Sequence, residues 1–234
     1  MKATLTHRQQ LSDTIASFTF KPSSEFRFTA GQYINLSLID HIEDGHPAER
    51  WFTISSSPKD DGITITTRVG EASHTAFKRA LNKLKTGTEV DISEPMGAFV
   101  LPKLLQTPLV FIAGGIGITP YNSMLKWLAQ TKEERPIRML YTVKTEDDII
   151  FQDTFDEAKQ HVTMVVDEPS AAWGGVRGPL TAEMILGLEP LDDNTLVYIS
   201  GPEPYVQHMQ MALKNAGVSN QRIVTDEFQG YDQL

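Results

Sequence analysis

A cation, two aromatic rings and a run of hydroxyls stand together in the segment RWFTISSSP, residues 50–58. Arg50 could pair with a phosphate, and Phe52 could stack on a planar ring. The hydroxyl of Thr53 could bind the polar edge of that ring. The segment therefore indicates a ligand that carries phosphates and a flat ring. Because side chains alternate along a strand, Phe52 and Thr53 reach one ring only if the strand ends or twists at Thr53.

A glycine-rich turn follows a buried apolar run in the stretch FIAGGIGITPYNSML. Gly114, Gly115 and Gly117 leave the backbone open to a close ligand. Thr119 is expected to cap the next helix, and Pro120 to be its first residue. Free amides at such a helix start favour an anion, so the stretch predicts a nucleotide-phosphate site. It is not the usual dinucleotide fingerprint, because Pro120 takes the place of the third glycine.

Two shorter stretches repeat this change from strand to turn. In VGEASHTAF, Ser73 could cap a helix that begins beside it. In YISGPEPY, a strand ends at Ser200 and Gly201 turns the chain. Because ligands bind at the carboxyl edge of open parallel sheets, Ser200 and Gly115 are expected together at that edge.

The elements that must position these residues differ between the two halves of the chain. Residues 1–102 hold short β-branched and aromatic segments with one helix, which predicts an antiparallel β-barrel. Residues 103–234 alternate strands and helices, which predicts an α/β domain with a parallel sheet. The predicted strands are 14–20, 32–39, 50–56, 62–69, 89–93, 108–114, 136–143, 161–167, 195–200 and 222–228. The predicted helices are 73–84, 120–130, 151–159, 181–186 and 204–217.

Composition excludes several classes of function. The net charge of −9 and pI near 5.1 argue against a nucleic-acid-binding protein. The absence of cysteine excludes thiolate zinc sites and cysteine-ligated iron–sulfur clusters in this chain. The six histidines have no metal-ligand spacing, so no metal is expected. No apolar run is long enough to span a bilayer and the N-terminus lacks a signal-peptide core, so we expect a cytoplasmic protein without membrane insertion.

Taken in order, six stretches resemble the motifs of the ferredoxin–NADP reductase superfamily of flavoproteins. They are RWFT, GEAS, EPMGAF, GGIGITP, SGPEPY and TDEF. The resemblance covers nearly the whole chain and implies a barrel that binds FAD non-covalently, followed by a domain that binds NADP or NAD.

The resemblance also implies roles for single residues. The implied FAD contacts are Arg50, Phe52, Thr53, Thr66, Arg68, Ser73, Phe228 and Tyr231. The implied NAD(P) contacts are Gly114, Gly115, Gly117, Thr119, Pro120, Lys144, Ser200, Gly201 and Glu203. The implied catalytic residues are Thr53, Ser200 and Glu227. Ser200 stands where many relatives have a cysteine. Lys144 favours NADP because it could meet a 2′-phosphate, although three carboxylates crowd the same loop.

The implied function is hydride transfer between NAD(P)H and bound FAD, followed by electron transfer to a separate carrier such as ferredoxin or flavodoxin. One alternative is an NAD(P)H-dependent reductase of free flavin, ferric chelates or quinones. A second alternative is a nucleotide-binding electron-transfer subunit of a larger complex.

Overall fold

Two six-stranded sheets organise the computed structural model, which describes residues 1–42, 48–69, 75–188 and 191–228. The first sheet lies in the N-terminal half and is antiparallel. The second lies in the C-terminal half and is parallel. This confirms the two-domain fold class predicted from the sequence.

The first sheet has the strand order β4-β3-β6-β1-β2-β5. An isolated bridge between Ile54 and Ile65 joins its two edges, so the sheet closes towards a barrel. Its core includes Leu5, Phe18 and Phe77. The elements are β1 (Lys2–Ser12), β2 (Ile15–Pro22), β3 (Tyr33–Ser37), β4 (Glu49–Thr53), β5 (Ile63–Arg68), α1 (Ala76–Lys83) and β6 (Glu89–Ile92).

The second sheet has the strand order β10-β9-β8-β7-β11-β12. Every residue of β7 is buried, which explains why its sequence is a continuous apolar run. The chain moves outward from β7 to β10 and then returns to β11 on the other side of β7, so a topological switch point lies between β7 and β11. The strands are β7 (Leu109–Gly114), β8 (Ile137–Val143), β9 (Val162–Val166), β10 (Val176–Arg177), β11 (Leu196–Pro202) and β12 (Ile223–Phe228). The helices are α2 (Thr119–Thr131), α3 (Gln152–Glu157), α4 (Ala182–Leu188) and α5 (Glu203–Asn215).

Strand β1 was missed by the sequence prediction, and so was the two-residue strand β10. The polar run THRQQ hides β1, because only its first residues send side chains such as Ala3 and Leu5 into the core. Register shifts between Leu5 and His7 and between Gln10 and Ser12 further disturb the alternation that marks a strand.

The two halves meet through a polar interface built from the serine run after β4. Asn122 Nδ2 donates to the Ser55 carbonyl at 2.7 Å, and Ser123 Oγ donates to the Ser56 carbonyl at 2.6 Å. Both serines are buried. The backbone carbonyls of Ser55 and Ser56 therefore fix the barrel to α2, and the Ser57 hydroxyl adds a hydrogen bond to Gln130 at 2.6 Å.

None of the helices in the described part of the chain has the length and apolar content needed to cross a bilayer. No group of three or more histidine, aspartate or glutamate side chains within it could hold a metal ion.

Candidate functional site

Strand β4 presents the predicted cation and aromatic ring to the inside of the barrel. Arg50 and Phe52 are buried, whereas Trp51 between them is 46% exposed. The Arg50 guanidinium lies 5.6 Å from the centroid of the Phe77 ring, and the Phe52 and Phe77 rings are 5.8 Å apart. Arg50 and Phe52 therefore share one environment with the start of α1.

Thr53 is the last residue of β4, so the strand ends where the sequence required it to end or twist. The side chain is buried, and its Oγ1 has no hydrogen-bond partner within the described residues. A buried hydroxyl without a partner costs roughly 1–3 kcal/mol. Thr53 Oγ1 thus fits a ligand that supplies a polar ring edge.

Helix α1 begins at Ala76, three residues after the start of the predicted helix 73–84. Thr75 is its N-cap, and the Thr75 hydroxyl accepts from the Lys78 amide at 3.4 Å. The expectation that the helix starts beside Ser73 is therefore wrong. Ser73 itself lies outside the described residues. Thr75 takes the N-cap position because the helix is anchored in the core by Phe77 and Leu81, the first of which lies two residues after Thr75.

The two predicted residues of β5 have partners in different halves of the chain. Thr66 Oγ1 forms hydrogen bonds with Ser17 Oγ at 2.7 Å and with Ser55 Oγ at 2.8 Å, inside a buried hydroxyl cluster. Arg68 instead reaches the C-terminal half, where Asp148 accepts a 2.9 Å charged hydrogen bond from it. Arg68 also lines a cavity beside Gly115.

The glycine turn after β7 packs against the end of β11. Ser200 pairs in register with Ala113, so the two predicted loops share the carboxyl edge of the sheet, as expected. Gly115 has a φ of +54°. A Cβ atom on Gly117 would lie 2.2 Å from the carbonyl oxygen of Ser200, a distance that no side chain tolerates. Only glycine at 117 lets the turn approach β11 this closely.

The start of α2 differs from the prediction. A 3₁₀ turn over Gly115–Ile118 precedes the helix, and Ile118 is the N-cap. The prediction of Thr119 as N-cap is therefore wrong. The 3₁₀ turn carries the helical conformation back through Ile118, so Thr119 lies inside the helix and its hydroxyl donates to the Ile116 carbonyl at 3.1 Å. Pro120 lies in the first turn of the helix and is buried.

A cavity of about 400 Å³ opens at this edge of the sheet. Its wall includes Gly114, Gly115, Lys144, Asp167 and Tyr205. Lys144 Nζ lies 3.6 Å from a carboxylate oxygen of Glu168. The only cation predicted to meet a 2′-phosphate thus stands next to two carboxylates.

Behind the glycine turn, Ser200 meets an acid from the last strand. The fully buried Ser200 hydroxyl donates to Asp226 Oδ2 at 3.3 Å. Burial raises the pKa of Asp226 to about 6, and the charge of Glu227 adds to the rise, while the hydrogen bond from Ser200 opposes it. Glu227, the predicted catalytic acid, is exposed. Strand alternation decides this, since neighbours on β12 face opposite sides of the sheet.

The remaining predicted residues lie near the carboxyl edge of the parallel sheet or outside the described residues. Gly201 is buried in β11, and Glu203 begins α5, where its carboxylate accepts from Gln207 at 2.9 Å. The backbone of Phe228 pairs with Pro202 at the end of β12. Tyr231 lies outside the described residues.

Two family models match the chain, one on each half. Residues 2–101 match the oxidoreductase FAD-binding domain, and residues 111–211 match the oxidoreductase NAD-binding domain. The chain belongs to the ferredoxin–NADP reductase superfamily. It thus carries an FAD-binding domain followed by an NAD-binding domain, in the order that the resemblance implied.

Curated members of the superfamily are longer than this chain. The NADH oxidoreductase HCR of Escherichia coli (strain K12) is 31% identical over 195 residues, which is 83% of this chain and 58% of the relative. The toluate 1,2-dioxygenase electron transfer component of Pseudomonas putida is 25% identical over 97% of this chain and 67% of the relative. The chain therefore spans about three fifths of the length of the first of these relatives.

Solved structures of the superfamily share the fold. A flavohemoglobin from Malassezia yamatoensis with bound FAD and heme superposes with a TM-score of 0.84 at 23% identity, covering 97% of this chain and 59% of that one. A ferredoxin NADP+ reductase from Neisseria gonorrhoeae with bound FAD and NADP superposes with a TM-score of 0.80 at 17% identity, covering 99% and 98%.

Sequence reasoning missed two polar residues of the site. Thr75 was overlooked because Ser73 is part of the family-like GEAS motif. Asp226 was overlooked in favour of its neighbour Glu227. Strand alternation could have found Asp226, because it lies two residues after Val224 and so on the face of β12 with which Val224 packs against the core.

Proposed function

We propose that this chain is an FAD-dependent NAD(P)H oxidoreductase that passes electrons to a separate acceptor. The observation that carries the proposal is Thr53 Oγ1, a buried hydroxyl without a described partner in the FAD-binding half. Relatives that are electron transfer components or reductase subunits of oxygenases support an external protein as acceptor. Ferredoxin, flavodoxin or an oxygenase component are the candidates.

On the barrel side, four groups would hold FAD. Arg50 and the first amides of α1, capped by Thr75, would bind the phosphates, because both a guanidinium and a helix start attract anions. Phe52 would support the flat ring, and Thr53 Oγ1 would bind its polar edge. We assign the capping of α1 at the phosphate site to Thr75 rather than Ser73, because Thr75 is the N-cap in the structure.

On the α/β side, the carboxyl edge of the sheet would hold the nicotinamide dinucleotide. Arg68, which the resemblance implied as an FAD contact, is held by Asp148 in the cavity beside Gly115, so we assign it instead to the phosphates of this dinucleotide. Ser200 and Asp226 would line the nicotinamide end, where an ionised Asp226 stabilises the positive charge that develops on the nicotinamide as NAD(P)H is oxidised. When bound, FAD supplies the chemistry that takes an electron pair and returns single electrons. The protein supplies position and excludes water.

Two further assignments follow from the same reasoning. We infer the domain boundary at residues 102 and 103, between the last strand of the barrel and the first of the parallel sheet. We place the protein in the cytoplasm, where reduced nicotinamide nucleotides and acceptor proteins occur together. Cell fractionation with antibody detection would test the location, and its recovery in another compartment would contradict it.

Reconstitution with FAD tests the function directly. Purified protein is expected to retain added FAD through gel filtration and to bleach in anaerobic stopped-flow mixing with NADH or NADPH. Electrons should then reach a ferredoxin or flavodoxin added in a second mixing step. Protein that takes up no FAD would contradict the proposal. Turnover only with FAD supplied as a dissociable substrate would favour the free-flavin reductase instead.

Replacing Thr53 by valine separates the role of the hydroxyl from packing. Valine keeps the shape and removes the unpartnered oxygen, so the apoprotein should gain about 1 kcal/mol of unfolding free energy. FAD should bind about tenfold more weakly, since one hydrogen bond is lost. Thr66→Val is the contrast, because its hydroxyl has two partners and its loss should destabilise the apoprotein. Urea unfolding and FAD titration measure both effects, and unchanged FAD affinity in Thr53→Val would refute the assignment.

The charges around Lys144 predict a preference for NADH. Asp167 and Glu168 repel a 2′-phosphate, and Glu168 already pairs with the only predicted cation. Glu168→Gln should lower the KM for NADPH several-fold, on the scale of an exposed charge pair of up to about 1 kcal/mol, and should leave the KM for NADH unchanged. Glu94→Gln, which lies in the barrel half, is the control. Steady-state kinetics decide, and equal effects on both nucleotides would count against this site for the 2′-position.

A further inference from the structure

A second cavity lies between the two halves, away from the candidate active site. Its volume is about 660 Å³. One wall is the outer face of β1, β2 and β5, and the other is formed by α2, α3 and the segment before α3. Among the described residues, none lines both this interdomain cleft and the cavity at the glycine turn. Neither Arg50, Phe52 nor Thr53 lines it.

The cleft contains a buried acceptor that has no described partner. Asn122 lines it and is 4% exposed. Its Nδ2 is committed to the Ser55 carbonyl, whereas its Oδ1 has no hydrogen-bond partner within the described residues. An unpaired buried carbonyl oxygen costs roughly 1–3 kcal/mol, so it favours an occupant that donates.

The charges of the cleft favour a cation. Lys126 lines it but is neutralised by Asp60 at 2.7 Å. Asp153 and Glu157 also line it, are exposed, and make no ion pair or side-chain hydrogen bond with any residue that the structure describes. Two uncompensated carboxylates attract positive charge more strongly than one neutralised lysine repels it.

The remaining wall is apolar. Leu11, Ile149, Ile150 and Phe151 line the cleft next to these polar groups. Phe151 has a φ of +65°, which a bulky residue adopts only when its surroundings hold it there. A donor group, a positive charge and a short hydrocarbon chain are therefore accommodated together.

We propose that the interdomain cleft binds a small aliphatic amine, with ammonium groups that donate to Asn122 Oδ1 and balance the charges of Asp153 and Glu157. Such a ligand would contact both halves of the chain at a place separate from the nicotinamide and flavin sites. Binding would stabilise the folded protein by mass action.

Titration calorimetry and thermal unfolding of the FAD-loaded chain with 1,4-diaminobutane test the proposal. Saturable binding and a rise in Tm are expected, without competition from NADH. Asp153→Asn/Glu157→Gln should weaken binding at least about fivefold, which corresponds to about 1 kcal/mol. Asp156→Asn, an exposed neighbour on α3 that does not line the cleft, should leave binding unchanged.

Two probes of matched length set the chemical class. Butane-1,4-diol and succinate should bind more weakly than the diamine, because they lack the positive charge. Absence of saturable diamine binding, equal binding by the double variant, or tighter binding of succinate would each overturn the proposal. None of these results depends on turnover, so failure of the cleft and failure of the oxidoreductase proposal are distinguishable. Asn122→Ala is an independent test of the acceptor Asn122 Oδ1: the folded variant should bind the diamine more weakly than the wild type.

Discussion

Gly117→Ala is expected to remove most of the NADH-dependent activity while the barrel keeps its FAD. The new Cβ would lie 2.2 Å from the Ser200 carbonyl oxygen and 2.6 Å from the Gly201 Cα. Both contacts are with backbone, so β11 or the glycine turn must move. A displacement of about 1 Å at a reacting centre lowers rates by roughly a hundredfold. We therefore expect kcat/KM for NADH to fall by about that factor.

Gly187→Ala is the matched control for this variant. Gly187 lies in α4, and no atom of the described residues stands within 4 Å of the position that its Cβ would take. Alanine there should be neutral or slightly stabilising, because it favours the helix. FAD content by absorbance and NADH kinetics measure both variants. Full activity of Gly117→Ala would show that the close approach of the glycine turn to β11 is not needed.

Asp226→Asn is expected to flatten the pH dependence of NADH oxidation. The pKa of Asp226 is raised to about 6, so the wild-type carboxyl loses its charge as the pH falls through that value. The proposed stabilisation of positive charge on the nicotinamide should be lost with it. The wild-type rate should therefore fall as the pH drops below 6, which gives the pH profile an acidic limb. The asparagine variant should have a rate roughly ten- to a hundredfold lower at neutral pH, and its profile should lack this limb.

Asp226→Asn should raise the stability of the folded protein although it lowers the rate of NADH oxidation. A folded-state pKa of about 6 lies above the ordinary value of 3.8, so the folded protein loses stability as the pH rises between them. Asparagine cannot ionise, and above pH 6 it should be more stable than the wild type by up to about 3 kcal/mol. Below pH 4 the two should converge. Urea unfolding across this range measures the effect.

Glu227→Gln provides the control for both measurements. Glu227 is the next residue of β12 but is exposed, so its replacement should retain the limb near pH 6. Because its charge raises the pKa of Asp226 slightly, the limb should move to lower pH rather than disappear. Loss of the limb in Glu227→Gln but not in Asp226→Asn would reverse the assignment of the two acids.

The interface between the halves shows where local reasoning ends. Ser55, Ser56 and Ser57 were predicted to satisfy backbone groups before a turn, and all three do so. Ser55 Oγ donates to the Thr64 carbonyl, Ser56 Oγ accepts from the Thr64 amide, and Ser57 Oγ accepts from the Lys59 amide. Their carbonyls and the Ser57 hydroxyl also hold α2, through partners up to 73 residues away in sequence. No local pattern encodes a partner at that distance.

The sequence by itself determined the two-domain fold class and the meeting of Ser200 with the glycine turn. These features follow from short-range rules: strand and helix patterning, turn chemistry, and the shared carboxyl edge of parallel strands. The resemblance to the superfamily implied the order of the FAD-binding and NAD-binding halves.

Only the tertiary structure decided which neighbouring residue faces the site. It placed Asp226 rather than Glu227 against Ser200, made Thr75 the cap of α1, and gave Thr66 and Arg68 partners in different halves of the chain. The physical reason is that the partners of a side chain depend on the register and packing of whole elements, and within a strand a shift of one residue reverses the face that a side chain presents.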